Sequence, residues 1–360
     1  MIVSLTGLNA VKASLTETDC RELGDPLLCQ YQHFSRFANQ RTNLLAIQLR
    51  RGQHLVGLVP VVQLTKRSPA PLLVPSVARW IVGCLGPLAH KTTALVDTSF
   101  LAYDYGSPFR TAGDADLPAV ANLAVQELQS FRELDSIMVL EPYAERQMAG
   151  RPDFDSFLAL PMMHAATQGC SSLEEFVARM PKKRRRNYHT AVAAFQAAGA
   201  ICEHYDQLPA ALEAEVYRCL LASAARSEFH VPYQEVMTSR EAFVSQPQKI
   251  IVARARQRVL GFATYVVNGT TLLQTHGGLD YLQSFAARAY QNLMFALIET
   301  AIQSGCSAVS FGPANNETKR RIADRALPMV ASLWNRKRLD RRFARRLLIP
   351  RFRINQGALP

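Results

Sequence analysis

Apolar and polar positions along this chain fall into two periods, one of a strand and one of a helix, and the two alternate. The runs Leu44-Leu-Ala-Ile-Gln-Leu-Arg50 and Leu55-Val-Gly57-Leu-Val-Pro-Val-Val62 flank Arg51-Gly-Gln-His54, which reads as strand, tight turn, strand. Lys249-Ile-Ile-Val-Ala-Arg254 and Val259-Leu-Gly261-Phe-Ala-Thr-Tyr-Val-Val267 flank the basic turn Ala255-Arg-Gln-Arg258 in the same way. A glycine follows two apolar residues in each second strand. Downstream, a helical stripe over 117–132 (Leu117, Val120, Ala124, Leu128, Phe131) precedes Asp135-Ser-Ile-Met-Val-Leu-Glu-Pro142. A second stripe over 286–303 (Tyr290, Leu293, Leu297, Ala301) precedes Cys306-Ser-Ala-Val-Ser-Phe-Gly-Pro313. Hairpin, helix and strand thus recur in one order, the mark of a duplicated unit. The first copy is the longer, and the Pro-rich segment Ser68-Pro-Ala-Pro-Leu-Leu-Val-Pro75 is where its insertion is expected.

Between the copies, residues 158–166, 200–205 and 270–276 read as strands and 210–225 as a helix. Ser171-Ser172-Leu-Glu174-Glu175-Phe176 is a capping-box pattern that opens a short helix through Met180. Pro181 then suits the first turn of a second helix with its apolar stripe at Tyr188, Val192, Phe195 and Gly199. The fold class is α/β with mixed sheets. Two domains are expected, 1–150 and 151–335, with the boundary between 150 and 158 and a basic extension over 336–360.

Charge sharpens this picture. The net charge is +12, yet residues 319–353 alone hold thirteen cations against Asp324 and Asp340, and Arg179, Lys182, Lys183, Arg184, Arg185 and Arg186 add six more. The rest of the chain is slightly acidic. Five of those cations fall in the first turn of a helix, the positive end of its dipole, where each is unfavourable by about 0.3–1 kcal/mol. That placement fits an anion site at Lys182 to Arg186; a solvated charge run is the other reading. Trp334, Leu339, Phe343 and Leu347 can line one side of an arginine-covered C-terminal helix, which either packs on the core or touches anionic lipid.

The seven cysteines are scattered, odd in number and without a C-x-x-C pair, so a zinc ribbon and a disulfide framework are excluded and a reducing, cytoplasmic setting is expected. Residues 77–89 form the longest near-apolar stretch, but Arg79, Gly83, Gly86 and Pro87 interrupt it, short of a membrane span. No basic segment precedes the apolar residues at the start, so no signal peptide is expected. Ser-His-Asp order, P-loop, H-E-x-x-H and metal-ligand spacing are all missing, which removes hydrolase, NTPase and metalloenzyme readings and leaves no metal site to expect.

The duplicated unit, the helix Pro181-Lys-Lys-Arg-Arg-Arg-Asn-Tyr188 ending in Ala-Ala-Gly199, the loop Gly277-Gly-Leu-Asp280 and Phe311-Gly-Pro313 before Lys319-Arg-Arg321 together resemble the Fem-like branch of the GNAT acyltransferase superfamily. That branch includes the aminoacyl-tRNA-dependent peptidyltransferases of peptidoglycan synthesis. The resemblance covers roughly residues 30–335 and implies two tandem GNAT-like domains, with the acyl-transfer site kept in the second. It implies that Gly277, Gly278 and Asp280 form the loop after the central strand, and that Lys319 is the lysine of an aromatic-Lys pair whose aromatic is here Thr318. The phosphate clamp of GNAT enzymes is a Gln/Arg-x-x-Gly-x-Gly/Ala loop. Here Gln283-Ser-Phe-Ala286-Ala-Arg288 keeps only the glutamine.

An N-acyltransferase needs a neutral amine, donors for an oxyanion and a hold on the donor's phosphates. His276, at the end of a strand, is the candidate general base, with a structural histidine as the plain alternative. Lys319 is the candidate for stabilising negative charge or holding phosphate. Glu228, His230 and Tyr233 are candidates for lining the acceptor pocket. No tightly bound cofactor is expected; the co-substrate is acyl-CoA or aminoacyl-tRNA, and the partners are an amine acceptor, tRNA and a peripheral membrane contact through the basic C-terminus. The rival class is a degenerate GNAT-fold protein that binds nucleic acid or an anionic membrane without catalysis.

Overall fold

The computed structural model describes residues 8–13, 16–23, 26–37, 42–65, 92–96, 108–111, 116–148, 150–226, 239–246, 248–312 and 316–336. Among these residues, thirteen strands join in one mixed sheet. One run comprises β1 (Leu8–Ala13), β2 (Thr42–Arg51), β3 (His54–Leu64), β4 (Thr93–Val96) and β6 (Ser136–Pro142), with the short β5 (Arg110–Thr111) beside β3. The other comprises β8 (Ala200–Tyr205), β9 (Lys249–Ala255), β10 (Arg258–Asn268), β11 (Thr271–Leu279) and β12 (Ala308–Ser310). Neighbours pair antiparallel until the last two of each run, β4 with β6 and β11 with β12, which are parallel. The helices are α1 (Glu17–Leu23), α2 (Pro26–Ser35), α3 (Leu117–Ser130), α4 (Leu173–Arg179), α5 (Lys182–Ala197), α6 (Glu213–Arg226), α7 (Arg240–Val244), α8 (Ala289–Gln303) and α9 (Asn316–Lys319). The parallel pairs are reached through α3 and α8, as a crossover requires.

The runs meet through an exchange of strands. β7 (Asp155–Ala166) follows the first run in sequence but pairs with β12 of the second, Val309 opposite Ala165. β13 (Arg325–Asn335) follows the second run but pairs with β6 of the first, Trp334 opposite Ile137. β13 and β7 then pair with each other at the centre of the sheet.

Burial explains why the strand sequences are near-continuous apolar runs. Most of β2 and β3 is covered on both faces. On one face α3 packs Val120, Ala124, Val125 and Leu128 onto Ile47, Leu49, Val59, Ile137 and Val139. In the second run the period of two sorts side chains to opposite layers: Ile251, Ala253 and Leu260 join the core of α8, while Ile250, Val252, Val259 and Phe262 join that of α6 and α7. Each of the larger side chains, Val, Leu, Ile and Phe, contributes about 1.5–3 kcal/mol on full burial.

Local signals set the helix ends. Ser172 accepts the Glu175 amide at 3.3 Å, and the Glu175 carboxylate takes the amide and hydroxyl of Ser171 at 2.6 and 3.0 Å. Those hydrogen bonds hold the Glu175 carboxyl below its usual range. α5 starts after Pro181 and stops before Gly199, whose φ of +61° is the left-handed end that glycine supplies. Some expected limits move. The helix expected from 286 begins at Ala289, because residues 281–288 form consecutive turns that end with Arg288 left-handed at φ +51°. The strand expected to stop at His276 continues to Leu279, since Gly277 and Gly278 still pair with Ala263 and Phe262. The helix expected over 210–225 opens as a 3-10 turn, Ala210–Leu212, and is α-helical over Glu213–Arg226. The Pro-rich insertion at 68–75, the apolar stretch 77–89 and the basic tail beyond 336 lie outside the described residues, as do Glu228, His230 and Tyr233. No helix among the described residues is long and apolar enough to cross a membrane.

Candidate active site at the parting of two parallel strands

β11 pairs with β12 over residues 271–273 only and then continues six residues further, so the two parallel strands part beyond Leu273 and Ser310. At the parting β11 carries a bulge toward β10. Tyr265 faces Gln274 and Ala263 faces Gly277, which leaves Thr275 and His276 together opposite Thr264. The three make a buried polar network with Gln248, the residue before β9. The His276 amide donates to Thr264 Oγ1 at 2.9 Å, the Thr264 and Thr275 hydroxyls lie 2.6 Å apart, Thr275 Oγ1 donates to Gln248 Oε1, and Gln248 Nε2 lies 3.4 Å from His276 Nδ1. Phe34 of α2 and Phe243 of α7 flank the imidazole at centroid distances of 5.9 and 6.2 Å. His276 is thus reached from the first half of the chain as well as the second, and His33 anchors that approach by a 2.9 Å hydrogen bond to the Ala242 carbonyl. Burial pushes the His276 pKa down to about 4, so the ring is neutral near pH 7. Its Nε2 is buried with no hydrogen-bond partner among the described residues.

Lys319 closes the opposite side. Its Nζ is buried and donates to the carbonyls of Phe311 and Gly312, the two residues that follow β12. Burial pulls its pKa down to about 7. The expectation of a phosphate-holding lysine meets a side chain turned inward onto backbone oxygens, where it shapes the chain at the strand end.

The glycines have steric reasons. A Cβ at Gly278 would lie 2.5–2.6 Å from the Phe262 ring and the Cys219 backbone of α6, so this position lets α6 press onto the sheet. A Cβ at Gly277 would lie 3.0 Å from Gln274 Nε2. Asp280 is buried, accepts the Leu282 amide at 3.1 Å, and faces Arg218 at 3.4 Å and Arg258 at 3.6 Å. Its work is to hold those two arginines.

Both arginines line an open cleft of about 910 Å³ together with Arg256, Glu215, Gln283, Ala286 and the end of α5 at Ala194, Ala197 and Ala198. Of the sequence candidates, Gln283 belongs here. Arg218 also meets Glu215 at 3.9 Å, whereas Arg256 has no carboxylate partner among the described residues. Arg256 is one of two non-glycine residues with positive φ among the described residues, at +56°; the other is Arg288, at the start of α8. Leu282 and Phe285, 88% and 89% exposed, stand on either side of Gln283 and Ser284. Sequence reasoning marked the hairpin as basic but did not single out Arg218, Arg256 or Arg258. The signal was Arg256 in the position that Gly52 takes in the first hairpin.

The basic run stands elsewhere. Lys182, Lys183, Arg185 and Arg186 are exposed at the start of α5, about 22 Å along the helix from the end that lines the cleft. Arg184 donates to the Ala323 carbonyl at 2.7 Å and Arg185 to Ala178 at 3.0 Å. The first of these bonds holds the start of α5 against Ala323, near which Arg320, Arg321, Asp324 and Arg325 are exposed. Among the described residues no group of three or more His, Cys, Asp and Glu side chains could hold a metal ion.

No family model and no curated protein matches the chain. Solved structures do. L-PGS from Bacillus licheniformis aligns at 9% identity and TM-score 0.56, covering 92% of this chain and 95% of that one. FemX aligns at 8% identity and TM-score 0.52, covering 94% and 99%. A conserved protein of unknown function from Bacteroides thetaiotaomicron aligns at 8% identity and TM-score 0.53, covering 91% and 100%. Likeness at this identity speaks for architecture alone, and the architecture is the one that L-PGS and FemX share.

Proposed function

We propose that the protein is an N-acyltransferase whose second half moves an acyl group to an amine acceptor, with the donor's phosphates held in the cleft at Arg256. The observation that carries this reading is Arg256 itself. A left-handed backbone costs a side-chain residue about 1–2 kcal/mol, and strain of this kind persists where the surroundings use it. Here it aims an arginine without a described carboxylate partner into a cleft already lined by Arg218 and Arg258. The loop that enters α8 adds the positive end of a helix dipole to the same cleft.

The chemistry is a balanced exchange. The amine nitrogen attacks the donor carbonyl carbon and the carbonyl oxygen takes the negative charge. Collapse then forms the amide and expels the leaving group, which takes up the proton that the nitrogen gives up. Lys319 positions the chain at the end of β12, and the parting of β11 from β12 gives the acyl group an entry. The reading divides the chain at 1–150 and 151–335, with β13 of the second half closing the sheet of the first against β6, and 336–360 a basic extension. Free thiols at Cys170, Cys202, Cys219 and Cys306 fit a reducing, cytoplasmic setting.

A single cleft lined by three arginines favours acyl-CoA as the donor. The second reading is aminoacyl-tRNA, favoured by the exposed cations Lys182, Lys183 and Arg186 at the start of α5 and Arg320, Arg321 and Arg325 near Ala323, and by the resemblance to Fem-like transferases. Titration of acetyl-CoA and of an acceptor-stem RNA against the full chain separates the two. For the acyl-CoA reading, Arg256→Gly should weaken acetyl-CoA binding about tenfold, the worth of one charge-assisted hydrogen bond. RNA binding that falls steeply with salt, is lost in the Lys182, Lys183 and Arg186 triple alanine variant and ignores Arg256→Gly would make tRNA the donor. Binding of neither ligand, with no transfer to any amine, would leave a non-catalytic binding protein.

A further inference from the structure

The hydrogens of the bulge network can be assigned one at a time. Thr264 Oγ1 accepts the His276 amide, so its own hydrogen turns to its nearest neighbour, Thr275 Oγ1 at 2.6 Å. Thr275, having accepted one hydrogen, gives its own to Gln248 Oε1. That fixes the glutamine amide: its oxygen faces Thr275 and its NH2 group faces His276 Nδ1 at 3.4 Å. An NH2 group only donates, so Nδ1 is an acceptor and carries no proton. A neutral imidazole has one proton, and here it sits on Nε2.

Turning the amide over would reverse the assignment, and the geometry opposes it. Thr264 would then receive hydrogens from both Thr275 and the His276 amide. Its own hydrogen would be left with only the His276 carbonyl at 3.5 Å, the far edge of a hydrogen bond. The ring is neutral because it is buried, packed near the rings of Phe34 and Phe243, and its Nε2 atom is buried without a partner among the described residues. Buried donors are nearly always satisfied, so an unmatched one at the strand parting marks a place for a ligand oxygen.

We propose that His276 is a neutral hydrogen-bond donor whose Nε2–H is kept for an oxygen of the substrate, a carbonyl or hydroxyl of the acceptor or the oxygen of the tetrahedral intermediate, and is not the base that takes the amine proton. Gln248 is the positioning residue that sets this polarity. The proposal rests on the acyl-transfer reading for the identity of the ligand; the proton assignment stands apart from it.

The test has two arms. Long-range 1H–15N correlation spectra of the full chain with 15N-labelled histidine, at pH 7, should show His276 protonated at Nε2 and bare at Nδ1. A proton on Nδ1 would overturn the proposal and return His276 to the role of base. In the second arm, turnover is compared for His276→Gln, which keeps an N–H donor without basicity, and His276→Phe, which keeps neither. With the donor and amine that support transfer, the phenylalanine variant should lose about 10²–10³ in kcat and the glutamine variant should stay within tenfold of the parent, with a flat pH profile down to pH 5. Equal loss in both variants would sink the donor role. If no donor supports transfer, the acyl-transfer reading fails while the spectra still decide the proton.

Discussion

The hairpin from β2 to β3 and the hairpin from β9 to β10 make the same turn with different residues. Arg51 pairs with His54 around Gly52-Gln53, and Ala255 pairs with Arg258 around Arg256-Gln257. Gly52 has φ +58° and Arg256 has φ +56°. The first half uses the residue that the backbone asks for, and the second half accepts strain to place a guanidinium. Around the parallel strands the halves differ in the same sense. Among the described residues, β4 and β6 share a buried Thr93–Ser136 hydroxyl pair at 2.7 Å and β6 buries Glu141 on the amides of Gln147 and Met148, whereas the second half buries Gln248, Thr264, Thr275, His276 and Lys319 near its parting strands. Duplication supplies two similar frames, and departures from the frame's own preferences gather in the half to which we assign the proposed chemistry.

The largest effect should come from the tightest packing. Gly278→Ala drives a Cβ into the Cys219 backbone and the Phe262 ring, and should destabilise by about 4 kcal/mol or more. Gly57→Ala in the first half meets the Val120 side chain and the Arg110 carbonyl at 2.8–3.1 Å, and should cost about half as much. Urea denaturation of the two variants compares them directly; equal losses would break the idea that the second half is held more tightly at this point.

Acid should act on the two halves with opposite sign. The His276 ring titrates at about 4 when folded against 6.5 when not, so between those values the unfolded chain binds a proton that the folded chain refuses. Stability should therefore fall by about 3 kcal/mol as pH drops from 6.5 to 4. In the first half, burial raises the Glu141 carboxyl despite the amides of Gln147 and Met148, so protonation of Glu141 adds stability as pH falls. His276→Gln should flatten the acid loss and Glu141→Gln should steepen it, as read from melting temperatures at pH 6.5, 5 and 4. A His276→Gln profile that matches the parent would show that the ring is not closed to protons.

The smallest effect is the most discriminating. Arg256→Gly should stabilise by about 1 kcal/mol as it relaxes the left-handed turn, while Gly52→Arg should destabilise by a similar amount. Thermal melts of both variants would show it, and a loss of stability in Arg256→Gly would mean that the arginine serves the fold instead of a ligand.

The sequence made the frame legible because apolar periodicity carries it: both hairpins, the helices from 117 and 182 and the strands after them sit where the pattern puts them. The start of α8 was not legible. Ala286-Ala-Arg288-Ala favours a helix by propensity, yet the turns after Asp280 delay it by three residues. The exchange of β7 and β13 was hidden for a different reason. A strand's pattern tells which faces are buried and nothing about which neighbour lies alongside. The network of Gln248, Thr264, Thr275 and His276 depends on a bulge, and one extra residue in a strand leaves no mark in composition. His276 was found as a histidine beside glycines and Lys319 through the resemblance, while the direction of their hydrogen bonds, which decides their roles, needed the geometry.

The position of β13 also has a consequence in time. Its partner β6 ends at Pro142, and the residues that pair with it begin at Met329, about 190 residues later in the chain. At a synthesis rate of about 5–20 residues per second, the first half would wait on the order of 10–40 s with that edge unpaired. An open edge of buried, apolar strand is a template for wrong partners, including the same edge on a neighbouring nascent chain. The arrangement makes assembly all-or-none late in translation and predicts that fragments cut before β13 aggregate, with no half surviving as an independent unit.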